Sequence, residues 1–141
     1  MEYEYSRDIP TKTYKDLENE LNLNADVFLG APVQVKFTNR ALYEPRFVWV
    51  KLKSRTIHVS EHMTKTRAHK EAMLDDVVSI RPGPPKKPLS KALGEDEICL
   101  SIGFNGGGGI DLKFKTNDER QRWAQYLSII CGVSVLNASS A

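Results

Sequence analysis

The sequence has little of several features that would assign it to a special class of protein. Its 141 residues include only two cysteines, Cys99 and Cys131, which are too few for a disulfide framework and lack metal-ligand spacing. No stretch approaches the roughly 20 apolar residues of a membrane-spanning helix. The acidic start, from Met1 to Tyr5, is unlike a secretory signal peptide. We therefore expect a cytoplasmic protein with reduced core thiols and no transmembrane segment.

The sequence also lacks an excess of charge of one sign. Its 20 Lys and Arg residues face 18 Asp and Glu residues, which leaves a formal net charge of +2. A balance this close to neutral does not by itself indicate nucleic acid, and we expect no nucleic-acid partner. Any preference for an anionic partner must therefore come from local clusters of cations.

Short alternating segments dominate the chain and predict antiparallel strands, because apolar side chains occupy every second position in each. Glycine, proline and polar residues separate the segments and supply turns. The run from Gly106 to Gly109 is interpreted as a hairpin turn, not a phosphate-binding loop, since a strand follows it instead of a helix. The segments are 33–37, 47–52, 56–60, 72–74 and 77–81 (the last two being two short strands or one bent strand), 98–104 and 110–114.

Two further segments have the spacing of amphipathic helices. Thr13 can cap a short helix over 14–23, whose apolar residues recur on one face. A second helix begins after Thr116, which forms a capping box with Glu119, and carries Trp123 on its apolar stripe. That stripe needs an apolar surface to cover, and the inner face of the strands is the candidate. The pattern predicts an antiparallel barrel or sandwich closed by the C-terminal helix.

Two stretches of the sequence resemble the pleckstrin homology (PH) family. Residues 110–127 are similar to the family's last strand running into a helix start rich in Asn, Glu and Arg, with Trp123 at the place of its core tryptophan. Arg46-Phe-Val-Trp-Val resembles the Arg-aromatic opening of the family's second strand. The resemblance implies a mainly β fold with α-helices: a seven-stranded antiparallel PH-like barrel capped by a C-terminal helix, plus the short N-terminal helix.

The predicted domain boundaries follow from this resemblance. We expect an N-terminal arm and short helix at 1–27, a PH-like domain at 28–135 and a C-terminal tail at 136–141. A domain of this size buries about two thirds of its unfolded surface and needs no disulfide to fold.

Many members of this family bind phosphoinositide headgroups through a first-strand lysine and a basic-x-Arg triplet that opens the second strand. The resemblance puts Lys36 and Arg46 at those positions, whereas Glu44 stands where the triplet has a basic residue. Its carboxylate would repel a phosphate by on the order of 1 kcal/mol. Cations on neighbouring loops could compensate, so the predicted headgroup-binding set is Lys36, Arg40, Arg46, Lys53, Lys65, Arg67 and Lys70.

One motif matches a catalytic signature without its structural context. His58, Glu61 and His62 fit the H-x-x-E-H pattern of a class of zinc peptidases, which requires a helix that places both histidines on one face. Alternation of Ile57 and Val59 predicts a strand here, with the histidines on an exposed strand edge. We therefore expect no enzyme, no metal site and no cofactor.

These observations leave two functions open. The first is a non-catalytic module that localises its host protein by binding anionic phosphoinositide headgroups, with weak attraction to anionic membranes as a less specific form. The second is a protein-interaction domain of a scaffold or cytoskeletal adaptor, which is favoured by Glu44, by the proline-rich loop after Arg81 and by the helix over 14–23. Either function places the protein in the cytoplasm, free or peripheral at a membrane or the cytoskeleton.

Overall fold

The described part of the chain contains one antiparallel sheet of seven strands, two short N-terminal helices and a longer C-terminal helix. The computed structural model describes residues 12–37, 40–65, 69–83 and 98–136. The helices are α1 (Tyr14–Glu20), α2 (Asp26–Leu29) and α3 (Asn117–Cys131). The strands are β1 (Ala31–Phe37), β2 (Glu44–Lys51), β3 (Thr56–Ser60), β4 (His69–Met73), β5 (Val77–Pro82), β6 (Cys99–Phe104) and β7 (Gly109–Lys113).

The predicted secondary structure is confirmed, with strand ends displaced by no more than three residues. The helix predicted over 14–23 ends earlier, at Glu20, and α2 was not predicted. The oxygen of Thr116 accepts a hydrogen bond from the Glu119 backbone N–H at 3.1 Å, as in the predicted capping box. The Glu119 carboxylate instead accepts from the backbone N–H of Lys115, one residue before the expected donor.

The strands follow the order β4-β3-β2-β1-β7-β6-β5. The predicted barrel does not close, because the described strands β4 and β5 lie at opposite ends of this order and do not pair. A 3-10 turn, Leu74–Asp76, joins them, and a cavity separates β4 from the start of β7. Lys70, which is exposed, and Ala72 lie opposite Val59 and Ile57 of β3, and both line this cavity. The fold is an open, PH-like sandwich.

One hydrophobic core lies between the sheet and α3. It takes residues from strands near both ends of the sheet, so the sheet bends over on itself. Trp123 is fully buried, as predicted, and its ring centroid lies 5.6 Å from that of Phe114. Gly132 ends α3 with φ of 71°, a left-handed conformation that glycine adopts without strain.

The N-terminal helices share this core. Leu17 of α1 and Val27 of α2 are fully buried in it. The predicted division at residues 27 and 28 falls inside α2 and stays a prediction, while residues 1–11 of the predicted arm and 137–141 of the tail lie outside the described residues. No described helix is long and apolar enough to cross a membrane.

The two ends of the sheet carry different connections, and we call the end at which β1 stops, at Phe37, the loop end. At the loop end, the β1–β2 and β3–β4 connections leave the sheet beside the β6–β7 turn, as the pairing of Phe37 with Ile110 requires. At the opposite end, the turn of Leu52 to Arg55 joins β2 to β3.

Candidate anion-binding site

A depression with a volume of about 360 Å³ opens at the loop end of the sheet. It lies between the connection that follows β1 and the one that follows β3, so residues distant in sequence meet in it. Its lining is Phe37, Arg40, Glu44, Arg46, Val59, Glu61, His62 and Lys70. Three of the seven predicted cations, Arg40, Arg46 and Lys70, therefore come together there.

Arg46 is partly neutralised within the depression. Its Nη2 lies 2.6 Å from Oε1 of Glu44, and its Nη1 donates a hydrogen bond to the Pro45 carbonyl at 2.8 Å. Glu44 and Arg46 share one face of β2, since they are two residues apart. Glu44 therefore engages the guanidinium fork that a phosphate would use, besides adding a negative charge of its own.

Arg40 and Lys70 are the freer cations of the site. Within the described residues, neither forms an ion pair with a carboxylate. The backbone N–H of Arg40 donates to the Phe37 carbonyl at 2.9 Å, which holds the start of the loop against β1. Lys70 pairs with Val59 across β3 and β4, so it lies on the core face of an edge strand, with Nζ 4.6 Å from the Phe37 ring centroid.

Lys36 lies on the other face of β1 and does not line the depression. Val35 and Phe37 face inward, so the residue between them faces outward. The Nζ of Lys36 lies 3.2 Å from Oδ2 of its cross-strand partner Asp111, whose other carboxylate oxygen accepts from Ser101 Oγ at 2.7 Å. This partly buried ion pair holds Lys36 against the outer face of the sheet.

The remaining predicted cations do not line the depression either. Lys53 lies in the β2–β3 turn, with Nζ 5.8 Å from the Tyr14 ring centroid. The eight residues of β2 separate that turn from the loop end by roughly 26 Å. Lys65 donates from Nζ to the Phe28 carbonyl at 3.2 Å. Arg67 lies outside the described residues.

The H-x-x-E-H residues occupy a strand and a loop, as expected, although His58 is buried and not exposed. Its imidazole stacks on Trp49 with centroids 5.1 Å apart, and its Nε2 lies 2.7 Å from Thr56 Oγ1. His62 lies in the following loop and lines the depression. The described residues hold no group of three or more His, Cys, Asp or Glu residues placed to bind a metal ion.

The sequence reasoning missed four residues of the depression: Phe37, Val59, Glu61 and His62. Alternation of β1 gave the inward direction of Phe37, but its contact with Lys70 depends on β4, 33 residues later. Glu61 and His62 were assigned only to the zinc-like motif, and nothing in their local sequence indicates that they face Arg40 and Arg46. The depression contains three permanent cations and two carboxylates, so its net charge is only weakly positive.

Solved structures of low sequence identity share this fold. Inner Membrane Complex Sub-compartment Protein 1 from Toxoplasma gondii matches with a TM-score of 0.60 and 14% identity, over 88% of this chain and 97% of that chain. The PH domain from TgAPH gives 0.54 and 15%, over 84% of this chain and 92% of that chain. The C-terminal PH domain of human FYVE, RhoGEF and PH domain containing protein 3 gives 0.53 and 12%, over 73% and 86%.

No protein-family model matches the sequence, and no curated protein matches it. At these identities the structural likeness concerns the fold alone. Strand order, the capping helix with Trp123 and the match to two PH domains agree on that fold. The chain therefore folds as a pleckstrin homology-like domain.

Proposed function

We propose that this chain is a non-catalytic binding module that localises its host protein at membrane surfaces by binding phosphoinositide headgroups. The observation that carries the proposal is the convergence of Arg40, Arg46 and Lys70 on one depression at the loop end. Guanidinium and ammonium groups bind phosphate oxygens through charge-assisted hydrogen bonds, and a depression of about 360 Å³ can admit a headgroup.

The charge of the site sets the strength of this binding. Glu44 and Glu61 line the same depression and offset part of the attraction from the cations. We therefore expect binding that weakens strongly between low and physiological salt, because screening acts on partly exposed charges.

The direct test removes the two freer cations. Each cation at an anionic membrane surface contributes about 1 kcal/mol, so Arg40→Ala with Lys70→Ala should weaken vesicle binding about 30-fold. The measurement is co-sedimentation with vesicles that carry one phosphoinositide at a time, matched for total charge, at low and physiological salt.

The matched control is Lys51→Ala with Lys53→Ala, which removes the same charge from the opposite end of the sheet. It should bind vesicles as the unmodified protein does. If both double variants lose vesicle binding equally, the effect comes from net charge and not from the depression. Binding that survives the loss of Arg40 and Lys70 would remove the depression as the headgroup site.

Glu44 supplies a test in the opposite direction. Glu44→Gln removes the repulsive charge and weakens the hold on the Arg46 guanidinium, so headgroup affinity should rise about fivefold. The measurement is the same titration at low salt. An unchanged or lower affinity would show that the headgroup does not bind beside Glu44 and Arg46.

A second function, binding to a protein partner, is favoured by an apolar surface at the opposite end of the sheet. Tyr14 and Leu23 are exposed there and line a depression together with Phe28, and Leu29, the residue after Phe28, is 56% exposed. Leu23→Ser with Leu29→Ser should abolish retention of a defined partner while Arg40→Ala with Lys70→Ala retains it. If the serine variant keeps the partner, this surface is not the contact.

A further inference from the structure

A second cavity, of about 200 Å³, adjoins the loop-end depression. The two share Phe37, Val59 and Lys70 as lining residues, so they are neighbouring compartments. The second compartment, which we call the slot, lies between the edge strand β4 and the ends of β6 and β7 near their turn. It occupies the place where a closed barrel would continue its sheet.

The slot and the depression differ in chemistry. The floor of the slot is formed by Ile57, Val59 and Ile110, all buried core residues. Ala72 and Phe104 line it at two further strands, Glu71 adds one carboxylate to its lining, and Lys70 belongs to both compartments. A weakly cationic compartment thus adjoins a mainly apolar one.

This combination favours a ligand with two parts. Close-packed protein interiors leave few voids, and an apolar cavity binds water poorly but accepts small apolar groups. An anion without an apolar segment would leave the slot unused, and a purely apolar ligand in the slot would desolvate Lys70 without compensation. A chain of carbon atoms attached to an anionic group covers both compartments.

We propose that the site binds a single-chain anionic lipid as a monomer, with its headgroup between Arg40 and Lys70 and the adjoining methylenes in the slot. The inference deepens the proposed function, since it uses the same cations for the headgroup. At about 30 Å³ for each water-sized group, a slot of about 200 Å³ holds about six methylenes. Recognition then depends on the first carbons of the chain and not on its full length.

The test uses n-alkyl phosphates of two to twelve carbons, with inorganic phosphate as the reference, below their micelle concentrations. Each buried methylene strengthens binding about fourfold. Calorimetric titration should show affinity that rises with chain length up to about six carbons and then levels off. Affinity independent of chain length, or a steady rise to twelve carbons, would overturn the slot as the binding site.

A variant that fills the slot separates its two compartments. Ala72→Leu should flatten the dependence on chain length while leaving inorganic phosphate binding unchanged. Met73→Leu, on the same strand but outside the slot, should behave as the unmodified protein. A full chain-length dependence in a folded Ala72→Leu protein would contradict the inference, and the series on the unmodified protein tests it even if that variant does not fold.

Vesicle binding distinguishes this inference from the proposed function. Headgroup-dependent vesicle binding without any effect of alkyl chain length would reject the slot ligand and leave membrane localisation standing. Chain-length-dependent alkyl phosphate binding without vesicle binding would support a monomeric lipid ligand and reject membrane localisation. Chain-independent phosphate binding together with binding of acidic peptides would reject a lipid ligand for this space.

Discussion

A single residue, Arg55, holds the β2–β3 turn in place at the end of the sheet opposite the loop end. Arg55 adopts a φ of 56°, and its guanidinium donates to Asp75 Oδ1 at 2.8 Å and to the Ile130 carbonyl at 2.7 Å. Its own carbonyl accepts from the Leu74 N–H at 2.8 Å. One residue thus ties the β2–β3 turn to the 3-10 turn and to the negative end of the α3 dipole.

Two substitutions of Arg55 separate the backbone effect from the side-chain effect. Arg55→Ala and Arg55→Gly both remove the guanidinium contacts and should both lower the free energy of unfolding. The alanine variant should be less stable than the glycine variant by about 1 kcal/mol, because only glycine adopts this φ without strain. Urea denaturation measures both, and equal stabilities would contradict a positive φ at this position.

The alternation of residues along β1 also explains why the predicted headgroup-binding residues lie on different faces of the sheet. Alternation in β1 is visible in the sequence, and it puts Val33, Val35 and Phe37 on one face and Lys36 on the other. Alternation alone was therefore enough to place Lys36 on the face opposite to the core face, and Lys70 lies on the core face. The ion pair between Lys36 and Asp111 depends on the register of β1 with β7, which local sequence does not give.

At the scale of elements, an ion pair links α2 to α3. Arg122 donates from Nε to Asp26 Oδ1 at 3.1 Å and from Nη2 to Oδ2 at 3.0 Å. Burial of the Asp26 carboxylate raises its pKa, but the hydrogen bonds and charge of Arg122 and the backbone N–H of Val27 favour the charged form, and the pKa lies below the ordinary value of 3.8. Trp123 adds to this lowering, although its buried indole N–H makes no normal hydrogen bond among the described residues.

The lowered pKa of Asp26 predicts a pH dependence of stability. The folded state holds this proton less tightly than the unfolded state, so the stabilisation is present above the ordinary pKa of 3.8 and is lost as the pH falls through the folded-state pKa. Asp26→Asn should lower the free energy of unfolding by about 1 kcal/mol at pH 7, since the pair is partly exposed.

Denaturation at pH 7 and below pH 3 checks this prediction. The difference between the Asp26→Asn variant and the unmodified protein should shrink at the lower pH. Glu18→Gln, an exposed change on α1, provides the control. A difference that stays constant across this range would show that the carboxylate charge of Asp26 does not stabilise the fold.

The elements themselves differ in how far the sequence predicts them. The strands and α3 carry clear alternation or helical periodicity, and the structure contains all of them. The helix α2 spans only four residues, too few for a periodic signal, and it forms where Val27 and Phe28 pack into the core. Tertiary packing, not local propensity, accounts for it.

At the scale of the whole molecule, the N-terminal helices and the sheet share one hydrophobic core, so we expect them to unfold as one cooperative unit. Leu17→Ala should cost 2 to 5 kcal/mol, roughly the usual loss for a fully buried leucine, because α1 contributes to the common core. Thermal unfolding followed by circular dichroism and by tryptophan fluorescence should show one shared transition at a lower temperature. Separate transitions, or a loss below about 0.5 kcal/mol, would make α1 an independent appendage.

The alternating pattern of the sequence determined the strands, the capping helix and the buried position of Trp123, since periodicity is a local property that burial of one face imposes. The resemblance to the PH family supplied the strand number and topology. Only the tertiary structure decided that the sheet stays open beside β4 and that Arg40, Arg46 and Lys70 meet while Lys36, Lys53 and Lys65 do not line the same depression. Those outcomes depend on register, on sheet curvature and on contacts between residues far apart in the chain, and none of these leaves a local pattern.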